Sequence, residues 1–214
     1  MCNEYEQRAT YALYCEMMQA LGWGVPTTEG ERDLRQSDGI RISDPAPVMR
    51  AQGNGVALAE MRFGFPPARP HGGPVFNWRS EGRRFRESNR CLIPATAFFE
   101  FTGTKSPKTK HRFSLKDAPM MAIAGIWKQA AAEAPPCFAM LTTEPGPDVA
   151  PYHDRQVVVL RPEDWPHWIH LSKPEEALLR PLPAGSLAVE TVRRAENAKA
   201  AKGKRTAPSD LFGS

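Results

Sequence analysis

Cys2 has the most distinctive chemistry in the sequence. Trimming of Met1 ahead of a small residue leaves Cys2 with a free α-amine, and an N-terminal cysteine is a 1,2-aminothiol. The amine condenses with an aldehyde to a Schiff base, and the thiol then closes a five-membered thiazolidine. An α-amino group titrates at about 7.7–8.0, so a useful fraction is neutral and nucleophilic at cellular pH. The alternative is an incidental thiol at a frayed terminus. Phe76-Asn77-Trp78-Arg79-Ser80-Glu81 joins an amide, a guanidinium and a carboxylate in a short run, which serves as an exposed turn as readily as a site. Glu100 is the lone carboxylate of Phe98-Phe99-Glu100-Phe101, and a strand's period of two sends it to the face opposite Phe99 and Phe101. If that face is enclosed, Glu100 is suited to a raised pKa and proton transfer. If it is open, Glu100 is an ordinary solvent-facing residue. His153-Asp154-Arg155 precedes an expected strand over 156–160, which puts His153 at a strand mouth where proton-transfer residues are often held; a lone loop histidine also serves structurally. His167-x-x-His170 has helical metal-ligand spacing but no carboxylate or thiol pair with it, and reads as surface.

These residues need elements to position them. Tyr11, Tyr14, Cys15 and Met18 form one stripe of an amphipathic helix. Asn3 is a competent N-cap with Glu6 three residues on, and Gly22 is a natural stop. A helix begun at Asn3 would set its positive end beside Cys2 and favour the thiolate. Residues 22–55, rich in Gly, Pro, Thr and Asp, read as loops around short extended pieces. Strands are expected near 56–63, 91–101, 111–115, 120–128, 137–143, 156–160 and 186–192. Short helices are expected over 163–170 and 174–180, behind Pro162 and Pro174. Strands arrive in runs, so the fold class is α+β with mostly antiparallel sheets rather than a doubly wound sheet.

Composition narrows the rest. The chain has 214 residues, 41% hydrophobic, enough for one core. Apolar runs are too short for a membrane helix, and the N-terminus lacks the basic start and apolar stretch of a secretion signal. The cysteines at 2, 15, 91 and 137 show no close pairing, which favours a reducing cytoplasm over a disulfide scaffold or zinc knuckle. Net charge is +4 and uneven. Six basic residues against Glu196 and Asp210 make the 193–214 stretch basic, and nine against Glu81, Glu87 and Glu100 do the same for 79–112. Such runs are most often solvated faces, yet two of them fit a polyanionic partner. The expected division is a domain over 1–194 and a mobile basic tail over 195–214.

Nine pieces stand in a recognisable order: Met1-Cys2, Ala46-Pro47, Phe63-Gly64-Phe65-Pro66, Asn77-Trp78-Arg79-Ser80-Glu81, Arg90-Cys91-Leu92-Ile93-Pro94-Ala95, Phe98-Phe99-Glu100-Phe101, Ala124-Gly125-Ile126-Trp127, Leu141-Thr142-Thr143-Glu144 and His153-Asp154-Arg155. On these the chain resembles the SOS response-associated peptidase (SRAP) family of abasic-site processing proteins, over nearly its whole length. The resemblance implies a compact single α+β domain, barrel-like in its antiparallel sheets with peripheral helices. It implies a monomer that binds single-stranded DNA containing abasic sites and cross-links to the sugar aldehyde through Cys2. It further implies that Asn77 orients Cys2 and the sugar oxygen, Glu100 serves acid–base chemistry at the amine, and His153 helps open the sugar ring. Arg79 and the Arg83/Arg84 pair would hold phosphates, and Thr142 would line the site with a hydroxyl. No metal, organic cofactor or membrane is implied; the location is cytoplasmic, on the nucleoid when bound to DNA. Two readings compete: a thiol peptidase or amidohydrolase using Cys2, to which self-removal of Met1 belongs, and a non-catalytic nucleic-acid-binding module.

The chain also departs from the family's usual pattern. Asn3-Glu4-Tyr5 replaces Gly-Arg-Phe, so Glu4 stands where an arginine is expected to face DNA. Residues 68–73 lack an aromatic that could wedge between bases, Phe63 replaces a tryptophan, and Gln156 replaces a customary proline. Substrate range is therefore more open to change than reaction type.

Overall fold

Strands buried on both faces explain why so much of the chain reads as unbroken apolar runs. In the computed structural model, residues 2–24, 27–28, 36–53, 55–67, 69–86, 88–129 and 134–195 are described. The first elements are β1 (Glu4–Gln7), α1 (Tyr11–Ala20), β2 (Thr27–Thr28), β3 (Ser37–Arg41), β4 (Pro45–Gln52), β5 (Gly55–Phe63) and β6 (Asn77–Arg79). Then come β7 (Arg90–Ala95), β8 (Ala97–Thr102), β9 (Thr109–Leu115), β10 (Met121–Lys128) and β11 (Cys137–Thr143). The chain closes with β12 (Gln156–Val157), β13 (Val159–Leu160), a 3-10 turn (Pro162–Asp164), α2 (Trp165–His170), α3 (Glu175–Leu178) and β14 (Leu187–Arg193).

Two sheets form. The smaller runs β14-β9-β8-β1-β3, antiparallel throughout. The larger runs β12-β11-β10-β7-β4-β5-β2, and a parallel β5–β11 pairing at Arg62/Cys137 and Phe63/Phe138 bends it into a ring. The ring is not a strict barrel, because β6 and β12 are added at the far end of β11 and β13 pairs with β10.

Alternation along the ring strands fills two cores. Ile93, Ile123, Phe138 and Met140 face the small sheet, where they meet Cys2, Tyr5, Phe98 and Phe113. Leu92, Ala122, Ala124 and Leu141 face outward, under Tyr14 and Met18 of α1 and Trp165 and Trp168 of α2. At Gly125 the layers pass so closely that a Cβ would lie 2.6 Å from Ile93 Cδ1 and 3.0 Å from Cys91 Sγ. Overpacking of this kind typically costs 1–3 kcal/mol. Gly125→Ala is accordingly expected to lower the thermal midpoint by several degrees, read by calorimetry.

The small sheet overturns the expected N-terminal helix. Residues from Glu4 to Gln7 are a strand, paired with β3 and β8. The helix starts at Tyr11, capped by Thr10, whose hydroxyl accepts from the Leu13 N–H at 3.2 Å. A second correction concerns 22–55, where β3 and β4 are regular strands. The expected 91–101 strand divides at Thr96, and 156–160 divides at Val158. The tail over 195–214 lies, beyond Ala195, outside the described residues.

Candidate active site

Two strands and a loop gather around Cys2. It immediately precedes β1 and is 1% exposed, with its Sγ donating to the Glu4 carbonyl at 3.2 Å. Parallel pairing of β6 with β11, Asn77 opposite Met140, carries Asn77 to the chain start. There its Nδ2 donates to the Cys2 carbonyl at 2.8 Å, while its buried Oδ1 has no partner among the described residues. That leaves the amide oxygen available to accept from an amine or sugar hydroxyl. Glu100 comes from the middle of β8 and is 1% exposed, which decides between its two readings in favour of an enclosed face. His153 belongs to the loop between β11 and β12, and its Nε2 lies 3.9 Å from Glu100 Oε2.

That loop is folded tightly on itself. Tyr152 and His153 donate to the Val149 carbonyl, and Gln156 Oε1 accepts from the Gly146 N–H at 2.6 Å. Tyr152 presses the loop onto the small sheet, its ring 4.6 Å from His111 and 5.4 Å from Phe113. His111 stands directly across from Glu100 in the β8–β9 register.

Burial dominates the electrostatics. Burial pushes the Glu100 carboxyl up to about 7, against the pull of the positive chain terminus and the Cys2 backbone N–H. Burial, with the nearby negative charge of Glu100, pushes the Cys2 thiol up to about 12. The thiolate-favouring helix end expected from sequence is absent, since residue 2 leads into a strand, and the thiol keeps its proton. His153 is shifted down, by burial first and then by the positive chain terminus. The cluster is therefore a neutral thiol, a carboxyl poised near neutrality and a neutral imidazole.

The expected DNA-facing residues separate. Arg79 and Arg83 are exposed, Arg83 lying 5.0 Å over the Trp78 ring. Arg84 instead pairs with Glu176 at 2.5 Å and Glu175 at 3.2 Å, and Glu175 also accepts from the Phe85 backbone N–H. Arg84→Ala should therefore cost stability more than DNA attraction, and only modestly, because the guanidinium is exposed and its ion pairs are screened by water. Chemical denaturation beside a salt-dependent DNA titration separates the two effects. Thr142 is 1% exposed, and its hydroxyl accepts from Arg155 Nη2 at 3.1 Å beneath the site. Glu4 is not an open negative charge: Lys110 Nζ binds it at 2.9 Å and Arg41 lies at 3.5 Å. Sequence reasoning gave no role to Glu81 and Arg155, which form a two-point ion pair at 2.6 and 2.9 Å beside His153. Both stood in motifs it had quoted; their pairing across 74 residues is a tertiary fact.

A family model described as SOS response associated peptidase (SRAP) matches residues 1–198. The chain belongs to the SRAP family. Among curated relatives of this SRAP protein, two from Bacillus subtilis are named abasic site processing proteins. YoqW is 32% identical over 120 residues, covering 50% of this chain and 53% of the relative. YoaM is 34% identical over 93 residues, covering 41% and 40%. The chain thus spans about half the length of the curated relatives it matches. A crystal structure from Bordetella bronchiseptica shares the SRAP protein's fold at TM-score 0.68 and 23% identity, covering 90% of this chain and 100% of the other. One from Bacteroides thetaiotaomicron does so at TM-score 0.68 and 18% identity, covering 98% and 97%. The mostly antiparallel α+β architecture expected from sequence is that of these neighbours.

Proposed function

We propose that this protein processes abasic sites in single-stranded DNA by linking to them covalently through Cys2 once Met1 has been removed. The observation that carries the reading is the placing of Asn77 and Glu100 against the second residue of the chain, with His153 beside Glu100. The names of the curated relatives support the substrate class.

The chemistry follows from the protonation states. Burial disfavours the thiolate, so the amine is the first nucleophile. His153 Nε2–H assists opening of the sugar to its aldehyde. The amine nitrogen adds to the aldehyde carbon, and the carbinolamine expels water with a proton supplied from Glu100. The sulfur then adds to the imine carbon, its proton returns to Glu100, and the nitrogen remains as the ring amine. Aldehyde plus aminothiol gives thiazolidine plus water. Burial and Glu100 both oppose a standing thiolate, so attack by the sulfur on an imine or on a peptide bond depends on a base that takes its proton.

Arg79 and Arg83 supply phosphate attraction in this reading. Each lost contact should lower the slope of log K against log salt by about 0.7 for single strands. An unchanged slope in Arg79→Ala would place that side chain away from the backbone.

Intact mass tests the whole proposal. Active protein should lack Met1, and incubation with an abasic oligonucleotide should add the oligonucleotide mass less one water. Full activity with Met1 retained would sink the mechanism, because no free amine would then adjoin the thiol-bearing carbon.

A further inference from the structure

The Glu81–Arg155 pair ties together two pieces of chain that the site needs side by side. β6, which carries Asn77, and β12, which follows the His153 loop, both pair with the Thr142 end of β11. Ser80 fixes one side, its N–H and hydroxyl both donating to the Thr142 carbonyl at 2.9 Å. Glu81 follows, and its carboxylate receives Arg155 Nη1 and Nη2; the latter also reaches the Thr142 hydroxyl. The Arg155 side chain is only 14% exposed, with its Nε buried and unbonded among the described residues. Taking this guanidinium to a phosphate would forfeit three bonds. A planar two-point fork fixes direction as well as distance.

What the pair fixes is the next contact inward. The Arg155 backbone N–H donates to His153 Nδ1 at 3.0 Å. A ring nitrogen that accepts carries no proton, so the neutral imidazole holds its hydrogen on Nε2, the nitrogen facing Glu100. Asp154 Oδ1 also lies 2.9 Å from Nδ1, but that carboxylate is 90% exposed and has water as a competing partner. Other groups acting on the ring are Glu100 from β8, the positive chain terminus and Lys108 ahead of β9.

We propose that Glu81 and Arg155 are positioning residues: by anchoring residue 155 across the end of β11, they hold its backbone N–H on His153 Nδ1 and so keep the Nε2–H tautomer aimed at Glu100. The catalytic consequence rests on the cross-linking function proposed above; the tautomer itself does not.

The test uses the full chain labelled with ¹⁵N-histidine, the His153 signals being assigned by their loss in His153→Ala. Long-range ¹H–¹⁵N spectra near pH 7.5 should show a bare Nδ1 and a protonated Nε2 in the unmodified protein. Glu81→Gln keeps size but weakens the fork, and should shift the ring toward a mixture of tautomers. In single-turnover cross-linking it should lower the saturating rate about 10- to 100-fold, the scale of a slightly misplaced group. Affinity for the abasic oligonucleotide and its salt dependence should stay unchanged. Arg155→Lys, which retains the charge but not the fork, should fall between Glu81→Gln and the unmodified protein. A tautomer unmoved in both variants overturns the proposal. So does a loss confined to affinity with a reduced salt slope, which would make Arg155 a phosphate contact. Failure of the unmodified protein to form any adduct would reject the cross-linking function, while the tautomer readout would still decide the positioning role.

Discussion

Cys2→Ala and Cys2→Ser are each expected to abolish the denaturant-stable DNA adduct while leaving single-strand affinity within about twofold. Both protein atoms that bond to the sugar carbon in the proposed linkage, the nitrogen and the sulfur, come from this residue, so no partial activity remains to be shared among neighbours. The two variants fail at different steps. Alanine keeps the amine and can form a Schiff base, but it has nothing with which to close the ring. Serine has an oxygen in place, yet a hydroxyl gives up its proton less readily than a thiol, and the oxazolidine closes poorly. Borohydride should therefore trap both as reduced amine adducts, whereas without reductant neither survives denaturation. The fold should tolerate both changes. The Cys2 sulfur donates to the Glu4 carbonyl, and loss of that bond costs about 1 kcal/mol. Denaturing gels with and without borohydride, beside an anisotropy titration, read all of this. A stable adduct in Cys2→Ala at the normal yield would reject Cys2 as the linking residue.

Sequence made the reacting groups legible because their chemistry is a property of residue type. An N-terminal aminothiol, a carboxylate in an aromatic strand and a histidine before a strand can each be recognised one residue at a time. Their electrostatics could not be read that way. The Cys2 expectation failed in sign because a local signal, Asn3 with Glu6, was weighed without knowing that β3 and β8 would take up the backbone of Glu4–Gln7. Once those hydrogen bonds are formed in a sheet, the chain cannot also turn a helix there. Prolines misled in the 22–55 stretch for a related reason. Pro45 and Pro47 lie in β4, where β5 pairs along the whole strand but β7 joins only at Met49 and Arg50. Proline is tolerated where one edge asks for no donor. Arg84 shows the same limit for charge, since its partners lie 91 and 92 residues away. The ring strands β5, β10 and β11 were read nearly to their ends, because a strand covered on both faces announces itself by a run of consecutive apolar residues, as at 56–59, 121–127 and 137–141.

His153→Ala is expected to slow cross-linking by about 10²–10⁴-fold at near-unchanged DNA affinity, the usual worth of general acid–base help. Neither His153 nor Glu100 is placed to hold a phosphate, and ionised Glu100 would repel one, so loss of either falls on the proton steps. Glu100 sets the pH response. With its carboxyl pushed up to about 7, the single-turnover rate of the unmodified protein should bend near neutrality, and Glu100→Gln should remove that bend as well as lowering the rate. Stability supplies an independent check with a definite sign. A carboxyl whose pKa rises on folding stabilises the fold most below its unfolded value of 4.5, and that contribution is lost as pH climbs through about 7. Relative to the unmodified protein, Glu100→Gln should therefore gain stability between pH 4 and pH 8, by up to about 3 kcal/mol. His153 runs the other way: its pKa is lowered on folding, so its contribution is lost as pH falls from about 6.5. Melting curves across this range test both signs. The competing role for His153 is to hold its loop before β12, in which case its removal lowers the melting temperature and leaves the rate alone. An unaltered rate profile for His153→Ala would remove the imidazole from the mechanism and leave Glu100 as the sole acid–base group beside Cys2.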